Sequence, residues 1–240
     1  MNQKLYLKVE SYITDKIKSE IYRTGDQIPT ETELAKELNV SRPTVRQALA
    51  RLTADGQLVR IKGRGTFVTQ PKILHESTTF ISGYRAESQK KHRTIRTKVL
   101  NLSVISPDEV VAASLQLSTS DKVIKLTRLR SIDHYNNNLP VVYTTVHVPF
   151  HLFPQITDID FTNISFYDAL DAKGLSVCHA SRKLEAIITP SSIAAALRIS
   201  TFEPSLFVTS IGTTQNLIPV EYSESYYPAG CSRFLIEINR

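Results

Sequence analysis

Apolar positions recur at helical spacing from the start of the chain. Val9, Tyr12, Ile13 and Ile17 share one face between Tyr6 and Ile21, which predicts a helix ended by the loop "RTGDQIP". In "PTETELAKELNV" the stripe is Leu34, Ala35 and Leu38. Thr30 and Glu33, three apart, form a capping box, and Asn39 closes the helix in a left-handed conformation. "SRPTVRQALARL" repeats the scheme at residues 41–52. Ser41 is its N-cap, Pro43 sits in the first turn, and Val45, Ala48, Leu49 and Leu52 make its buried face. Two short helices joined by so tight a turn predict a helix-turn-helix. After Asp55-Gly56 the pattern becomes that of strands: Leu58, Val59 and Ile61 before "KGRG", Phe67 and Val68 after it. This predicts a hairpin in which Gly63 and Gly65 supply the backbone angles of the turn.

Residues 71–78 contain several polar residues and no clear period, and they read as a linker between a domain at 1–70 and another at 79–240. The second domain predicts strands at "TIRTKVLNLSVI", "KVIKLTRLRSID", "LPVVYTTVHVP", "RKLEAIITP" and "RFLIEI", with the turn "HYNNN" between the second and third. A hairpin is expected over "PSLFVTSIGTTQNLIPVEYSESYY", and helices over "SPDEVVAASLQL" (Ser106 as cap), "SFYDALDAKG" and "SSIAAALRI". Short-turn strands with scattered helices indicate an α+β class built on an antiparallel sheet.

Charge adds an asymmetry to this picture. The formal net charge of the 240 residues is +6, and residues 1–70 carry 12 Lys/Arg against 8 Asp/Glu. The shorter domain thus holds most of the basic excess, which points to an anionic partner there. Cys178 and Cys231 have no CxxC spacing, and no stretch reads as a signal peptide or membrane span, so a reducing, cytoplasmic setting with no membrane partner is expected. The six histidines are scattered, with no metal-ligand spacing, no GxSxG and no phosphate-cradling glycine loop. No catalytic residue, metal or cofactor is expected, and the chain does not read as an enzyme.

The outer face of the third helix carries Arg42, Arg46, Gln47 and Ala50, with no acid before Asp55. A helix of this size fits the major groove, where Arg pairs with guanine O6/N7 and Gln with adenine N6/N7. The hairpin tip adds Lys62 and Arg64 for a minor groove or phosphate. Taken alone, the helix reads equally well as a solvated surface; helix-turn-helix followed by a basic glycine hairpin is more specific. The run "GDQIPTETELAKELNVSRPTVRQALARLTADGQLVRIKGRGTFV" resembles the winged-helix domain of the GntR family of bacterial transcription regulators. The resemblance implies that Arg42, Thr44, Arg46 and the wing residue Gly65 contact operator DNA. On this reading, Gly65→Val should leave folding nearly intact and weaken operator binding.

Residues 79–238 resemble the sensor domain of the HutC branch of that family, a chorismate-lyase-like fold, through "LTRLR", "LPVVYTTVHVP", "SFYDAL" and "PVEYSESYY". The resemblance implies dimerisation and a small effector, often a phosphorylated sugar or other acid. In "TRLR", Arg128 and Arg130 stand two apart on a strand and face one side. The residues alone leave open either an anion between them or a solvated sheet face; the resemblance implies the anion grip. Ser165 and Tyr167, at a helix start, would complete it, and Glu221 and Tyr227 would bind hydroxyls or an amine. Thr144 stands where many relatives have an acid, Ile81 where they have Ser or Thr, and segment 228–233 also departs from their pattern. The expected function is an effector-controlled transcription regulator, a repressor, acting as a homodimer on two-fold symmetric double-stranded operator DNA. The alternatives are a lyase-like enzyme fused to a DNA-binding domain and a ligand-independent dimeric DNA-binding protein.

Overall fold

Three helices and a hairpin build the first unit of the computed structural model, in which residues 5–69, 72–75, 94–118, 120–133 and 138–236 are described. The helices are α1 (Leu5–Lys18), α2 (Glu31–Leu38) and α3 (Arg42–Ala54). The capping box forms as the spacing predicts: the Thr30 amide donates to Glu33 Oε2 (2.7 Å) and the Glu33 amide to Thr30 Oγ1 (3.3 Å). Asn39 closes α2 at φ 52°, and the Ser41 hydroxyl accepts from the Thr44 amide to start α3. These caps satisfy amides and carbonyls that the helix ends leave orphaned. Val9 and Ile13 of α1, Leu34 of α2 and Val45, Ala48 and Leu52 of α3 meet in one core. Strands β1 (Leu58–Ile61) and β2 (Gly65–Val68) pair antiparallel and close that core with Leu58 and Val68. The stretch before α2 runs along β2: the Ile28 amide donates to the Thr66 carbonyl (2.9 Å) and the Val68 amide to the Asp26 carbonyl (2.8 Å).

The chain divides into two compact units, Met1–Lys72 and Ile73–Arg240. The second holds an antiparallel sheet of six strands: β4 (Ile95–Ile105), β5 (Val123–Ile132), β6 (Pro140–Pro149), β7 (His179–Ile188), β8 (Pro204–Thr213) and β9 (Pro219–Pro228), in the order β4-β5-β6-β9-β8-β7. Helices α4 (Glu109–Leu115), α5 (Phe166–Ala172) and α6 (Ser191–Leu197) are short. Around Phe166 and Leu170 of α5 gather Phe161, Ile124, Leu126 and Val146, so α5 covers one sheet face. Around Val111 and Leu115 of α4 gather Val123 and Tyr222 on the other.

Four expectations are corrected. Residues 73–75 are not linker: β3 (Ile73–His75) pairs in parallel with β10 (Ser232–Phe234), and Ile73 and His75 are buried. The final strand accordingly ends at Phe234, shorter than "RFLIEI" suggests. Helix α4 is capped by Asp108, whose carboxylate accepts from the Val111 amide at 2.8 Å, while Ser106 accepts from Lys122 Nζ. At Gly65 φ is +122°, and an added Cβ would stand 2.4 Å from Gln27 Nε2, so a side chain there strains the wing instead of leaving it intact. Ile81, residues 76–78 and most of the turn "HYNNN" lie outside the described residues.

Candidate functional site

Two groups of basic side chains stand out, one in each unit. In the first, α3 presents Arg42, Arg46 and Gln47 exposed, and the hairpin tip presents Lys62 and Arg64 exposed. The Arg64 guanidinium lies over the Phe67 ring at 5.9 Å, so the turn residue is propped on the adjoining strand β2. Thr44 is partly occupied, its hydroxyl 2.8 Å from that of Ser41. Gly65 opens β2 opposite Ile61.

The sequence reading missed two members of this surface, Glu31 and Arg60. Arg46 donates to Glu31 through Nε (3.2 Å) and Nη2 (3.0 Å), and Arg60 Nη1 lies 3.5 Å from Glu31 Oε1. The Arg46 guanidinium holds the Glu31 carboxyl below the usual carboxylate range. The available signals were Arg60 in the basic hairpin and Glu31 in "PTE", but the contact joins residues 15 and 29 positions apart.

In the second unit the sheet register assembles a cavity. Across β5-β6, Arg128 stands opposite Thr144; across β6-β9, Thr144 opposite Ser225; across β9-β8, Glu221 opposite Gly212 and Ser223 opposite Ser210; across β8-β7, Ser210 opposite Arg182. Direct antiparallel partners share a face, so these side chains and Arg130 point to the side covered by α5. Arg128, Arg130, Arg182, Tyr167, Glu221 and Tyr227 all line the cavity. Of the expected set, Ser165 is the exception: it is the N-cap of α5 by backbone, its hydroxyl makes no capping bond, and it does not line the cavity. Arg182 and the hydroxyls of Ser210, Ser223 and Ser225 were missed, because only the register brings β7, β8 and β9 to β5.

The electrostatics of this cavity are strained. Arg128 is 3% exposed, lies between the rings of Phe161 and Phe166 at 5.8 and 5.5 Å, and its Nε has no hydrogen-bond partner. Burial and the neighbouring Arg130 push the Arg128 guanidinium well below its ordinary pKa. Arg130 Nη1 donates to Thr144 Oγ1 at 3.4 Å, and Thr144 shares a 3.1 Å hydroxyl contact with Ser225. At that register position the group beside the arginines is thus a hydroxyl. The buried Glu221 accepts from the Tyr167 hydroxyl at 2.7 Å. Burial raises the Glu221 carboxyl, opposed by that hydrogen bond and by Arg182 and Arg128. A Cβ on Gly212 would come within 2.6 Å of Glu221 Cγ, so the glycine makes the room that the buried carboxylate occupies. Among the described residues no cluster of His, Cys, Asp or Glu is placed to hold a metal, and no helix is long and apolar enough to cross a membrane.

A winged helix-turn-helix with a basic reading face, followed by a separate cavity-bearing domain, defines a DNA-binding transcription regulator. The family models agree on both halves: residues 5–68 match the bacterial regulatory proteins of the gntR family, and residues 90–230 match the UTRA domain. The chain belongs to this GntR/UTRA family of transcription regulators. It is 31% identical over 223 residues to the HTH-type transcriptional regulator GmuR of Bacillus subtilis, covering 92% of each chain. It is 30% identical to the histidine utilization repressor of Klebsiella aerogenes, over 85% of this chain and 82% of that one. Among solved structures, PhnF from Mycobacterium smegmatis shares the fold at a TM-score of 0.79 with 24% identity, over 96% and 99% of the two chains. The two curated relatives are named as a transcriptional regulator and a repressor, not as enzymes.

Proposed function

We propose that this protein is a transcription repressor, working as a homodimer in the cytoplasm, whose grip on a two-fold symmetric operator is set by a small anionic effector. Arg46 reads a base from α3, with Arg42, Thr44 and Gln47 beside it and Lys62, Arg64 and Gly65 on the wing; the effector occupies the cavity beneath α5. Relatives named as repressors support the sign of regulation. The observation that carries the effector class is the inward-facing set Arg128, Arg130 and Arg182, with Glu221 as the only acid among the described residues that line the cavity, and Arg128 keeping a buried Nε without an acceptor. A buried guanidinium fork suits phosphate or carboxylate, and such an anion relieves its missing solvation.

Effector and operator are linked: if the effector changes operator affinity, the operator changes effector affinity by the same factor. The test begins with a thermal-shift screen of sugar phosphates and small organic acids, each hit then titrated with and without an operator chosen by binding-site selection from random duplexes. A stabilising acid whose affinity differs between the two titrations is expected. Stabilisation only by cations or neutral compounds sinks the anionic assignment. Equal affinity with and without operator sinks the switch.

A further inference from the structure

Glu31 poses a physical question. It is an acid, 14% exposed, on the face that is to meet a polyanion. A negative charge there opposes the phosphate contacts that dominate DNA affinity. Its place in the first turn of α2 explains a mild local benefit from the helix dipole, but any acid pointing elsewhere would give that too. Its contacts are more selective. Arg46 offers Glu31 one edge of its guanidinium, Nε and Nη2, at 3.2 and 3.0 Å. Glu31 Oε1 meanwhile reaches Arg60 Nη1 on β1 at 3.5 Å. A guanidinium carries five N–H donors in a fixed planar fork. Binding through the Nε edge leaves the other edge, Nη1 with the second Nη2 hydrogen, free. That free edge is a parallel pair of donors, the arrangement that guanine O6 and N7 accept.

We infer that Glu31 is a positioning residue for operator specificity: it clamps one edge of Arg46 so that the opposite edge is presented to a guanine, and through Arg60 it ties that aim to the wing. The inference rests on Arg46 as a base reader and adds what orients it. An unclamped arginine on an exposed helix samples many rotamers and pairs as well with a phosphate as with a base; a clamped one has already lost that freedom. Glu31 therefore trades general affinity for discrimination, and this gives removal of its charge an unusual signature.

The experiment compares wild type, Glu31→Gln, Arg46→Ala, the double variant and Arg46→Lys by binding-site selection from a random duplex library, with titrations on the selected site and on random duplex. Glu31→Gln should lose roughly tenfold in preference for guanine at one position per half-site, yet bind random duplex more tightly than wild type. In the Arg46→Ala background the same substitution should leave base preference untouched, because the residue it aims is gone. Arg46→Lys keeps the charge but has no second edge, and should lose the guanine preference although Glu31 is intact; it carries the test if Glu31→Gln does not fold. A Glu31→Gln profile identical to wild type, or the same loss from Glu31→Gln with and without Arg46, overturns the inference. If Arg46→Ala alone weakens all sequences equally, Arg46 is only a phosphate contact and the inference falls with it.

Discussion

Arg46 and Arg128 carry the same side chain and do opposite things with it. The Arg46 side chain is 60% exposed and shares a carboxylate. Arg128 is 3% exposed and, among the described residues, has no acid within ion-pair distance: two aromatic faces and Arg130 lie beside it, and Tyr167 and Glu221 attract it more weakly than burial and Arg130 oppose its charge. A wet, paired guanidinium costs the free protein almost nothing, because solvent already screens an exposed ion pair. A buried one costs several kcal/mol unless something compensates it. The reading surface thus waits for its partner without strain, whereas the cavity stores an unmet demand for negative charge. That difference suits the tasks proposed for them: DNA brings many phosphates, and a small molecule must supply its binding energy at one place.

The sharpest way to break the comparison is to remove the stored demand. Arg128→Met keeps similar bulk between Phe161 and Phe166 and deletes the buried charge. Effector affinity should fall by about 2–5 kcal/mol, the usual cost of truncating one partner of a buried charged contact. The effector-free protein should unfold at equal or higher denaturant concentration, because replacing buried ionic groups with packed apolar ones is often stabilising by about 1–4 kcal/mol. Operator binding without effector should be unchanged. A marked loss of stability in Arg128→Met would show that Arg128 is a structural residue already satisfied by its surroundings, and the contrast with Arg46 would collapse.

A smaller effect separates backbone from charge on the DNA side. Gly65→Ala should destabilise the wing by about 1–3 kcal/mol, the cost of forcing a non-glycine residue into a sparsely populated conformation. Adding Gln27→Ala removes the contact at 2.4 Å but not the positive φ, so only part of the loss should return. Hydrogen exchange at the amides of Ile28 and Val68, which bond across the wing, reads this locally. Full protection of both amides in Gly65→Ala would mean that the wing tolerates a side chain there and that any lost DNA binding is a direct contact.

How much of this was legible in the sequence differs between the units for a physical reason. In the first, the signals are local. Thr30 with Glu33, Asn39, Ser41 and the apolar stripes of α2 and α3 act within one helical turn of themselves, and their elements appear where they predict. What escaped was contact between elements, here Glu31 with Arg46 and Arg60. In the second unit most strands were readable by alternation, and the cavity was not. Arg128 and Arg182 lie 54 positions apart and meet the same space only because β6, β9 and β8 lie between β5 and β7. No local pattern states that order. The three residues of β3 are too few to show a period, and they become a strand only by pairing with β10. Ser165 shows the converse: it caps α5 by backbone alone and stands outside the residues that line the cavity.

The smallest expected effect concerns the sheet face away from the cavity. His147 is buried there at 6%, stacked on Tyr222 at 6.1 Å between ring centres, and its Nδ1 has no partner. Burial, and then Lys125 on the neighbouring strand, lower its pKa to about 4, with Asp108 pulling weakly the other way. The unfolded chain binds this proton near pH 6.5. The folded state holds His147 neutral, so its contribution is intact above about pH 6.5 and is lost as pH falls towards 4. The full shift sets an upper bound near 3 kcal/mol, and solvent screening reduces the expected loss to roughly 1–2 kcal/mol. Many carboxylates also titrate in this range, so the measurement is a difference: urea unfolding of wild type and His147→Gln at pH 7.5 and at pH 4.5. The carboxylate contributions cancel, and wild type should lose about 1–2 kcal/mol more than the variant on going to the lower pH. Operator binding at pH 7.5 should not distinguish the two proteins. A stability difference that is the same at both pH values would mean that His147 takes up its proton in the folded state as readily as in the unfolded one. The outer face would then be as wet as the surface of α3, and the contrast between a solvated and a desolvated charge would have to be argued from the cavity beneath α5.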